Sequence, residues 1–269
     1  MRRIEFTKMD ATGNDFVVID NRNKILKRNI SLFVKKVCLR KKGVGADGVI
    51  FIEKSTKCDF LMRIFNPDGT EPHMCGNGAR CVAKFAYINK IAKSKMEFET
   101  KAGDVFAWCK GNNVKIRFFS PKKIEVDFKL KVLGKTYSLS FINTGVPHTV
   151  LFSNNLDRQP VETLGREIRN HPRFFPMGTN VDFVLIKDKH TIFIRTYERG
   201  VEKETLSCGS GAVACSVISV LKKKAFSPLS IITKGKDILK VDCVIENQKV
   251  KELYLTGTVN VVYKGFLYL

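Results

Sequence analysis

Short apolar runs bounded by turn-forming residues dominate the hydrophobic pattern of this 269-residue chain. Apolar runs of about four to eight residues between Gly, Pro, Asn or Asp are typical of β-strands. One further segment alternates between polar and apolar positions, as a half-buried strand does. Together the patterns predict strands at residues 16–19, 48–52, 60–65, 113–119, 181–186, 190–197, 229–233 and 259–263. Strands are therefore expected in both halves of the chain.

Two segments carry a helical pattern instead, at residues 79–89 and 212–221. The second is apolar around nearly its whole circumference, which is typical of a buried helix. Each half of the chain is therefore predicted to be a mainly antiparallel sheet curled around one central helix. The break at Ser120–Pro121 marks the end of the first half.

A five-residue motif, Cys-Gly-X-Gly-Ala, occurs at residues 75–79 and again at residues 208–212, about half the chain later. Each copy stands at the start of a predicted helix. A motif repeated at half-chain spacing indicates two similar domains that each present one cysteine.

The candidate chemistry follows from the position of these cysteines at helix N-termini. A thiol at a helix N-terminus lies near the positive end of the helix dipole, and we expect its pKa to fall toward about 7. The adjacent glycines let backbone N–H groups approach a substrate carboxylate. Two such thiols on facing half-molecules suit the removal of a proton from one face of a carbon and the return of one to the other.

Composition and charge indicate the cellular compartment and the partners to expect. Eight cysteines without a Cys-x-x-Cys pair, in a chain without an export signal, are expected to be reduced thiols in the cytoplasm, and no metal site is predicted. No apolar run is long enough to span a membrane. The formal net charge is +21, but the basic runs are short and lack interleaved aromatics, so a nucleic-acid partner is not expected.

Motifs along nearly the whole chain resemble those of diaminopimelate epimerases, and they come in the order found in that family. The matching segments are residues 13–18, 43–47, 63–69, 74–81, 147–148, 178–183, 197–200 and 207–211.

The resemblance implies an α/β (α+β) fold of two pseudo-symmetric domains with the active site in the cleft between them. The C-terminal strand returns to the first domain, which gives residues 1–120 plus 257–269 and residues 121–256. The implied activity is a cofactor-independent, two-base epimerisation of LL-diaminopimelate to the meso isomer, in lysine and peptidoglycan-precursor synthesis. A homodimer is also implied.

Residue roles follow from the same resemblance. Cys75 and Cys208 are the acid–base pair, and His148 and Glu198 bias the pKa values of the two cysteines. The substrate-binding residues are Asn14, Asn66, Gly76, Asn77, Asn180, Glu198, Arg199, Gly209 and Ser210. The chain departs from the common family pattern at Val146, where many members have asparagine, and at Gly48, where many have glutamine.

Two alternatives stay open at this point. Because of Val146 and Gly48, the enzyme could be a racemase or epimerase of another amino acid, of the glutamate or proline type. From a different class, the chain could be a redox-sensing, anion-binding protein in which the two activated thiols form a reversible disulfide.

Overall fold

The computed structural model describes residues 3–268. Its contacts divide the chain into two compact units. The first unit extends to Arg117 and resumes at Thr256, and the second comprises Phe118–Leu255. Among the described residues, no helix has the length and apolar character needed to cross a membrane.

Strands outnumber helices in both units. As far as Arg117, the elements are β1 (Arg3–Ala11), β2 (Asn14–Asp20), α1 (Ile30–Cys38), β3 (Gly48–Glu53), β4 (Phe60–Phe65), α2 (Gly76–Ile88), β5 (Lys95–Thr100), β6 (Gly103–Lys110) and β7 (Asn113–Arg117). They continue with β8 (Ile124–Val132), β9 (Lys135–Asn143), β10 (Pro147–Phe152), α3 (Val161–Arg169), β11 (Asn180–Asp188), β12 (Thr191–Glu198), β13 (Lys203–Thr205), α4 (Gly209–Leu221), β14 (Leu229–Ile232), β15 (Ile238–Glu246), β16 (Lys249–Thr258) and β17 (Asn260–Tyr268). A short 3₁₀ turn spans Pro172–Phe174.

The two units repeat one strand-pairing scheme. In the first unit, β1–β2, β3–β4 and β5–β6 pair antiparallel, whereas β2–β3 and β4–β5 pair parallel. In the second unit, β9–β10, β11–β12 and β14–β15 pair antiparallel, whereas β10–β11 and β12–β14 pair parallel. The C-terminal strand β17 pairs antiparallel with β1, so it belongs to the first unit. The predicted fold class, α+β with two pseudo-symmetric units, is therefore confirmed.

The helices occupy equivalent places in the two units. Parallel neighbouring strands need a crossover connection, and that connection is usually a helix. The first crossover of each unit contains α1 or α3, and the second contains α2 or α4. The sequence patterns predicted α2 and α4 but not α1 and α3.

The outer helices α1 and α3 are amphipathic and cover one face of each sheet. In the first unit, Phe33, Val34 and Val37 of α1 belong to one core cluster with Val49 and Phe51 of β3. In the second, α3 packs in the equivalent way against side chains of β11 and β12, with Leu164, Ile168, Val181, Phe183 and Tyr197 in the cluster. Successive side chains of a strand point to opposite faces of the sheet. The polar side chains of the candidate site on these strands therefore lie on the face opposite to the outer helix.

The inner helix of each unit is buried. In α4, every residue from Gly209 to Ser219 except Ser210 is buried, and most of these residues are apolar, which confirms the prediction from the apolar pattern. In α2, residues 77–86 are buried, including the charged side chains of Arg80 and Lys84. Each inner helix begins directly after a motif cysteine, so burial of the helix fixes the position of that cysteine.

Candidate active site

Both motif cysteines are the N-cap residues of the inner helices. Cys75 precedes α2 and Cys208 precedes α4, and both have extended backbone dihedrals. The Cys75 sulfur accepts a hydrogen bond from the Gly78 N–H at 3.5 Å, and the Cys208 sulfur accepts one from the Gly211 N–H at 3.4 Å. The predicted placement of each cysteine at a helix start is confirmed. Each sulfur occupies the place where an N-cap oxygen normally satisfies an unpaired N–H.

The second glycine of each motif allows a close approach to the sheet. A Cβ atom at Gly78 would lie 2.8 Å from the Ile64 side chain, and one at Gly211 would lie 2.5 Å from the Asp182 carboxylate. Helix α2 therefore rests on apolar side chains at this point, whereas α4 rests on a carboxylate. The repeated motif meets two different environments.

The first group of polar side chains surrounds Cys75 and is called the Cys75 cluster. The Cys75 sulfur lies 3.9 Å from Asn14 Oδ1, which also accepts a hydrogen bond from Asn77 Nδ2 at 3.4 Å. Because an amide oxygen accepts but does not donate, a proton on the Cys75 sulfur points toward Asn14. The structure therefore brings together Asn14, Cys75, Gly76 and Asn77 of the predicted site.

Buried and half-buried charges fix both amides of the Cys75 cluster. Asn14 Nδ2 donates to Asp47 Oδ2 at 3.0 Å, and the Arg80 guanidinium donates to Asn77 Oδ1 at 3.0 Å. Asp47 in turn accepts from Arg40 at 2.8 Å. Arg80 is fully buried, so its bond to Asn77 is not exposed to water. These contacts determine which way each amide faces.

A second group of polar side chains surrounds Cys208 and is called the Cys208 cluster. It lies on one face of strands β10, β11 and β12. The register places His148 opposite Asn180, and Asp182 opposite Thr196. Side chains two residues apart along a strand share a face. Asn180 and Asp182 therefore project on the same side, as do Thr196 and Glu198 of β12. Helix α4 packs against these strands and brings Cys208 and Ser210 to this face.

A continuous set of polar contacts joins Asp182 to Cys208. Asp182 Oδ2 lies 2.7 Å from His148 Nδ1, and both side chains are fully buried. His148 Nε2 lies 3.0 Å from Ser210 Oγ, which lies 3.4 Å from the Cys208 sulfur. The other Asp182 oxygen accepts from Thr196 Oγ1 at 2.8 Å. Asn180 Nδ2 makes a longer contact of 3.4 Å with His148 Nε2.

The Cys208 thiol does not have the lowered pKa that its helix position predicts. Burial, and then the negative charges of Glu198 and Asp182, raises the pKa of Cys208 well above its usual value. The contact with Ser210 Oγ and the hydrogen bond from the Gly211 N–H lower this pKa, but their effects are weaker. The prediction was wrong for this thiol because the sequence motif does not reveal the two carboxylates or the depth of burial.

Glu198 completes the Cys208 cluster. Burial raises the pKa of its carboxyl group, although hydrogen bonds with Thr205 and Cys208 and the proximity of His148 lower it. Thr205 Oγ1 donates to Glu198 Oε1. The Cys208 sulfur is therefore close both to the Glu198 carboxyl group and to the Ser210 hydroxyl group.

The remaining predicted residues lie at the margins of these clusters. Asn180 Oδ1 accepts from the Arg199 N–H at 2.8 Å, and the Arg199 guanidinium donates to the Met177 carbonyl at 2.7 Å. Gly209 is the first residue of α4. Asn66 lies in the turn after β4, where its amide donates to Thr70 Oγ1 at 3.0 Å. That Asn66 binds substrate stays a prediction.

The sequence interpretation assigned no role to Asp182, Thr196, Thr205, Asp47 or Arg80, all of which contact predicted site residues. Asp182 could have been found, because it lies two residues after Asn180 in a predicted strand and so shares its face. The contacts of Asp47 and Arg80 arise from tertiary packing, for which the sequence pattern contains no signal.

Gly48, a departure from the common family pattern, has a steric explanation. A Cβ atom at this position would lie 2.6 Å from the Phe65 carbonyl oxygen and 3.2 Å from the Phe16 ring. The local backbone therefore leaves no room for a glutamine side chain.

One group of possible metal ligands occurs among residues 3–268. Ligand atoms of Cys58, Glu97 and Asp104 all lie within 4.8 Å of one another. All three residues belong to the first unit, and none belongs to the Cys75 cluster.

Solved structures of other proteins share the fold of this chain. The fold resembles a PhzF-family phenazine biosynthesis protein of Bacillus anthracis, with a TM-score of 0.74, 17% identity and full coverage of both chains. It also resembles a probable proline racemase of Agrobacterium radiobacter K84, with a TM-score of 0.75, 14% identity and coverage of 99% of this chain and 93% of the other. At these identities the likeness establishes the two-domain fold alone.

Sequence comparison then identifies the family. The profile of the diaminopimelate epimerase family matches residues 6–121 and 140–262. The chain is 44% identical to the diaminopimelate epimerase of Aquifex aeolicus over 98% of each chain. It is 40% identical to that of Archaeoglobus fulgidus over 98% of this chain and 96% of the other. The chain belongs to the diaminopimelate epimerase family, and it is an isomerase.

Proposed function

We propose that this protein interconverts LL- and meso-diaminopimelate without a cofactor, with Cys75 and Cys208 as the two acid–base groups. One thiolate removes the α-proton from one face, and the opposite thiol donates a proton to the other face. Family membership supports the substrate. The full-length relatives named above carry the name of this activity.

One observation carries the two-base mechanism: the two motif cysteines have the same N-cap geometry in two units of the same topology. In each, the sulfur accepts a hydrogen bond from the third N–H of the helix, which stabilises a thiolate. The first N–H groups of each helix favour a bound carboxylate and the negative charge that develops on it when the α-proton leaves. Gly76, Asn77, Gly209 and Ser210 are the proposed carboxylate-binding positions, and Asn14, Asn66, Asn180, Glu198 and Arg199 are proposed to bind the other polar groups.

The proposed activity predicts a specific isotope result. Reduced protein incubated with LL-diaminopimelate in D₂O, without added cofactor, is expected to yield the meso isomer with deuterium at the inverted α-carbon. NMR and chiral chromatography measure the two outcomes. A parallel panel of glutamate, proline and lysine, with and without pyridoxal phosphate, tests the alternative substrates. Turnover of one of these amino acids, with LL-diaminopimelate unchanged, would assign the enzyme to another substrate.

The proposed setting is the cytoplasm, in lysine and peptidoglycan-precursor synthesis. A mechanism that uses two thiols requires both to stay reduced, and the cytoplasm maintains thiols in that state. All eight cysteines are free thiols in the structure.

A homodimer formed through β17 is the proposed assembly. This strand pairs with β1 and carries several exposed apolar side chains, including Val262, Phe266 and Tyr268, which are 55%, 45% and 62% exposed. Exposed apolar groups clustered on one strand are typical of a protein interface.

Val262→Lys is therefore expected to convert the dimer to a monomer, because it places a charge in an apolar interface. Light scattering after size exclusion measures the mass. Ile238→Lys provides the matched control, since Ile238 is 54% exposed at the start of β15 in the second unit. Equal masses for both variants and the unmodified protein would contradict the β17 interface.

A further inference from the structure

We propose that Ser210 and His148 form a proton relay that sets the protonation state of Cys208, and that Asp182 is the positioning residue that keeps His148 able to accept. The relay deepens the proposed epimerase function and rests on it. The contacts from Asp182 to Cys208 described above carry this inference. Their order is carboxylate, imidazole, hydroxyl and thiol.

The direction of each hydrogen bond follows from the chemistry of the groups. An ionised carboxylate can only accept, so the 2.7 Å contact with Asp182 places the proton of neutral His148 on Nδ1. Nε2 then carries a lone pair, and the Ser210 hydroxyl donates to it over 3.0 Å. This leaves the Ser210 oxygen free to accept from the Cys208 thiol over 3.4 Å. Asn180 Nδ2 also approaches Nε2, at 3.4 Å.

The transfer balances without an external partner. The Cys208 S–H bond breaks, its proton passes to Ser210 Oγ, and the original Ser210 proton passes to His148 Nε2. The electron pair remains on sulfur, and the products are a thiolate, an unchanged serine and an imidazolium. The reverse transfer restores the thiol. Transfer to His148 prepares Cys208 as the thiolate that removes a proton, and the reverse transfer prepares it as the thiol that donates one.

The relay also explains how a buried thiol can ionise beside two carboxyl groups. Loss of the Cys208 proton to water would add an anion to a buried cluster that already contains Asp182 and Glu198, with the thiol of Cys215 also nearby. Transfer to His148 leaves the total charge of the cluster unchanged. The imidazolium then lies between Asp182 and Ser210, where its charge is stabilised by the Asp182 carboxylate.

Glu198 is the competing proton acceptor, because its carboxyl group also contacts the Cys208 thiol. The two routes differ in the residue that they require. The relay requires a hydroxyl group at position 210, whereas direct transfer requires a carboxylate at position 198.

Kinetics of the Ser210 variants test the relay in both reaction directions. Ser210→Ala is expected to lower kcat by about 10²- to 10³-fold, the usual loss for a general acid–base group, with KM changed less than about three-fold. Ser210→Thr retains a hydroxyl group and is expected to restore kcat to within about five-fold. A rise in KM with kcat retained would mean that Ser210 only binds the substrate carboxylate, and it would overturn the relay. So would a larger kcat loss in Glu198→Gln than in Ser210→Ala.

Asp182 is tested with a matched neighbour and a readout other than activity. Asp182→Asn is expected to lower kcat about 10³-fold, because the asparagine amide would hold His148 in the other tautomer, as the same change does in Ser-His-Asp triads. Thr196→Val removes the other hydrogen bond to the same carboxylate and is expected to cost less than about ten-fold.

Nitrogen-15 NMR of labelled histidine should show His148 protonated at Nδ1 in the unmodified protein and at Nε2 in Asp182→Asn. An unchanged tautomer would overturn the role of Asp182 whichever amino acid the enzyme epimerises. Failure of the unmodified protein to turn over diaminopimelate would instead overturn the proposed substrate and leave the tautomer result intact.

Discussion

Replacement of Cys75 or Cys208 with serine is expected to lower epimerisation by at least about 10³-fold in both directions, because a two-base reaction needs both groups in each direction. Serine keeps the N-cap hydrogen bond to Gly78 or Gly211. A serine hydroxyl group is a far weaker acid than a thiol, so it does not form the anion that removes the α-proton. The loss of activity should therefore occur without a large change in the melting temperature.

The two serine variants should also differ from each other. In each variant one thiol remains, and it can remove the α-proton only from the face that it contacts. With no acid opposite, the proton returns to the same face. Each variant is therefore expected to exchange the α-proton of one stereoisomer with D₂O without inverting it, and the two variants should act on opposite stereoisomers. NMR of each separate isomer measures the exchange.

Cys58→Ser is the matched control for this experiment, since Cys58 is a partly exposed thiol outside both clusters. It is expected to retain the kcat of the unmodified protein. Full epimerase activity in both Cys75→Ser and Cys208→Ser would show that the cysteines are not the acid–base pair.

The sequence was sufficient to predict the inner helices and many of the strands because their patterns are local. An apolar helix such as α4 and a glycine-rich helix start are visible within about a dozen residues. The outer helices α1 and α3 were missed although both are amphipathic. Each has only nine residues, which gives little more than two turns of periodicity. Their place in the fold follows from the parallel strand pairs that they connect, and such pairing is not a local property.

The same difference between local patterns and tertiary contacts decides which residues of the candidate site could be predicted. The motifs are local, so the cysteines and their glycines could be found from the sequence. The bond between Asp182 and His148 joins residues 34 positions apart, and its existence depends on the register of β10 and β11. The same register explains the error about the Cys208 pKa. The motif indicates a helix N-terminus, whereas the strands beneath it supply carboxylates whose effect acts in the opposite direction.

Gly211→Ala is expected to reduce kcat by about 10²-fold, the cost of displacing a catalytic arrangement by about 1 Å. The added Cβ would lie 2.5 Å from Asp182 Oδ1 and 3.2 Å from Thr196 Oγ1. The carboxylate cannot rotate away freely, because His148 and Thr196 hold its two oxygens. Either Asp182 moves away from His148 or α4 moves away from the sheet together with Cys208. Both responses disturb the Cys208 cluster.

Gly78→Ala is the matched change in the first copy of the motif, and its contrast with Gly211→Ala is the sharper part of this prediction. The added Cβ at Gly78 meets the ends of three flexible apolar side chains, of Ile50, Met62 and Ile64. Overpacking of this kind costs about 1–3 kcal/mol of stability, partly offset by the roughly 0.5–1 kcal/mol that alanine gains over glycine in a helix.

Gly78→Ala should therefore lower the melting temperature and reduce kcat less than about ten-fold, whereas Gly211→Ala should reduce kcat more than its effect on stability explains. Thermal unfolding and steady-state kinetics of both variants measure the difference. Equal kcat losses in the two variants would mean that Asp182 has no special role beneath α4. Unequal losses would show that the repeated motif has an electrostatic requirement in its second copy and only a packing requirement in its first.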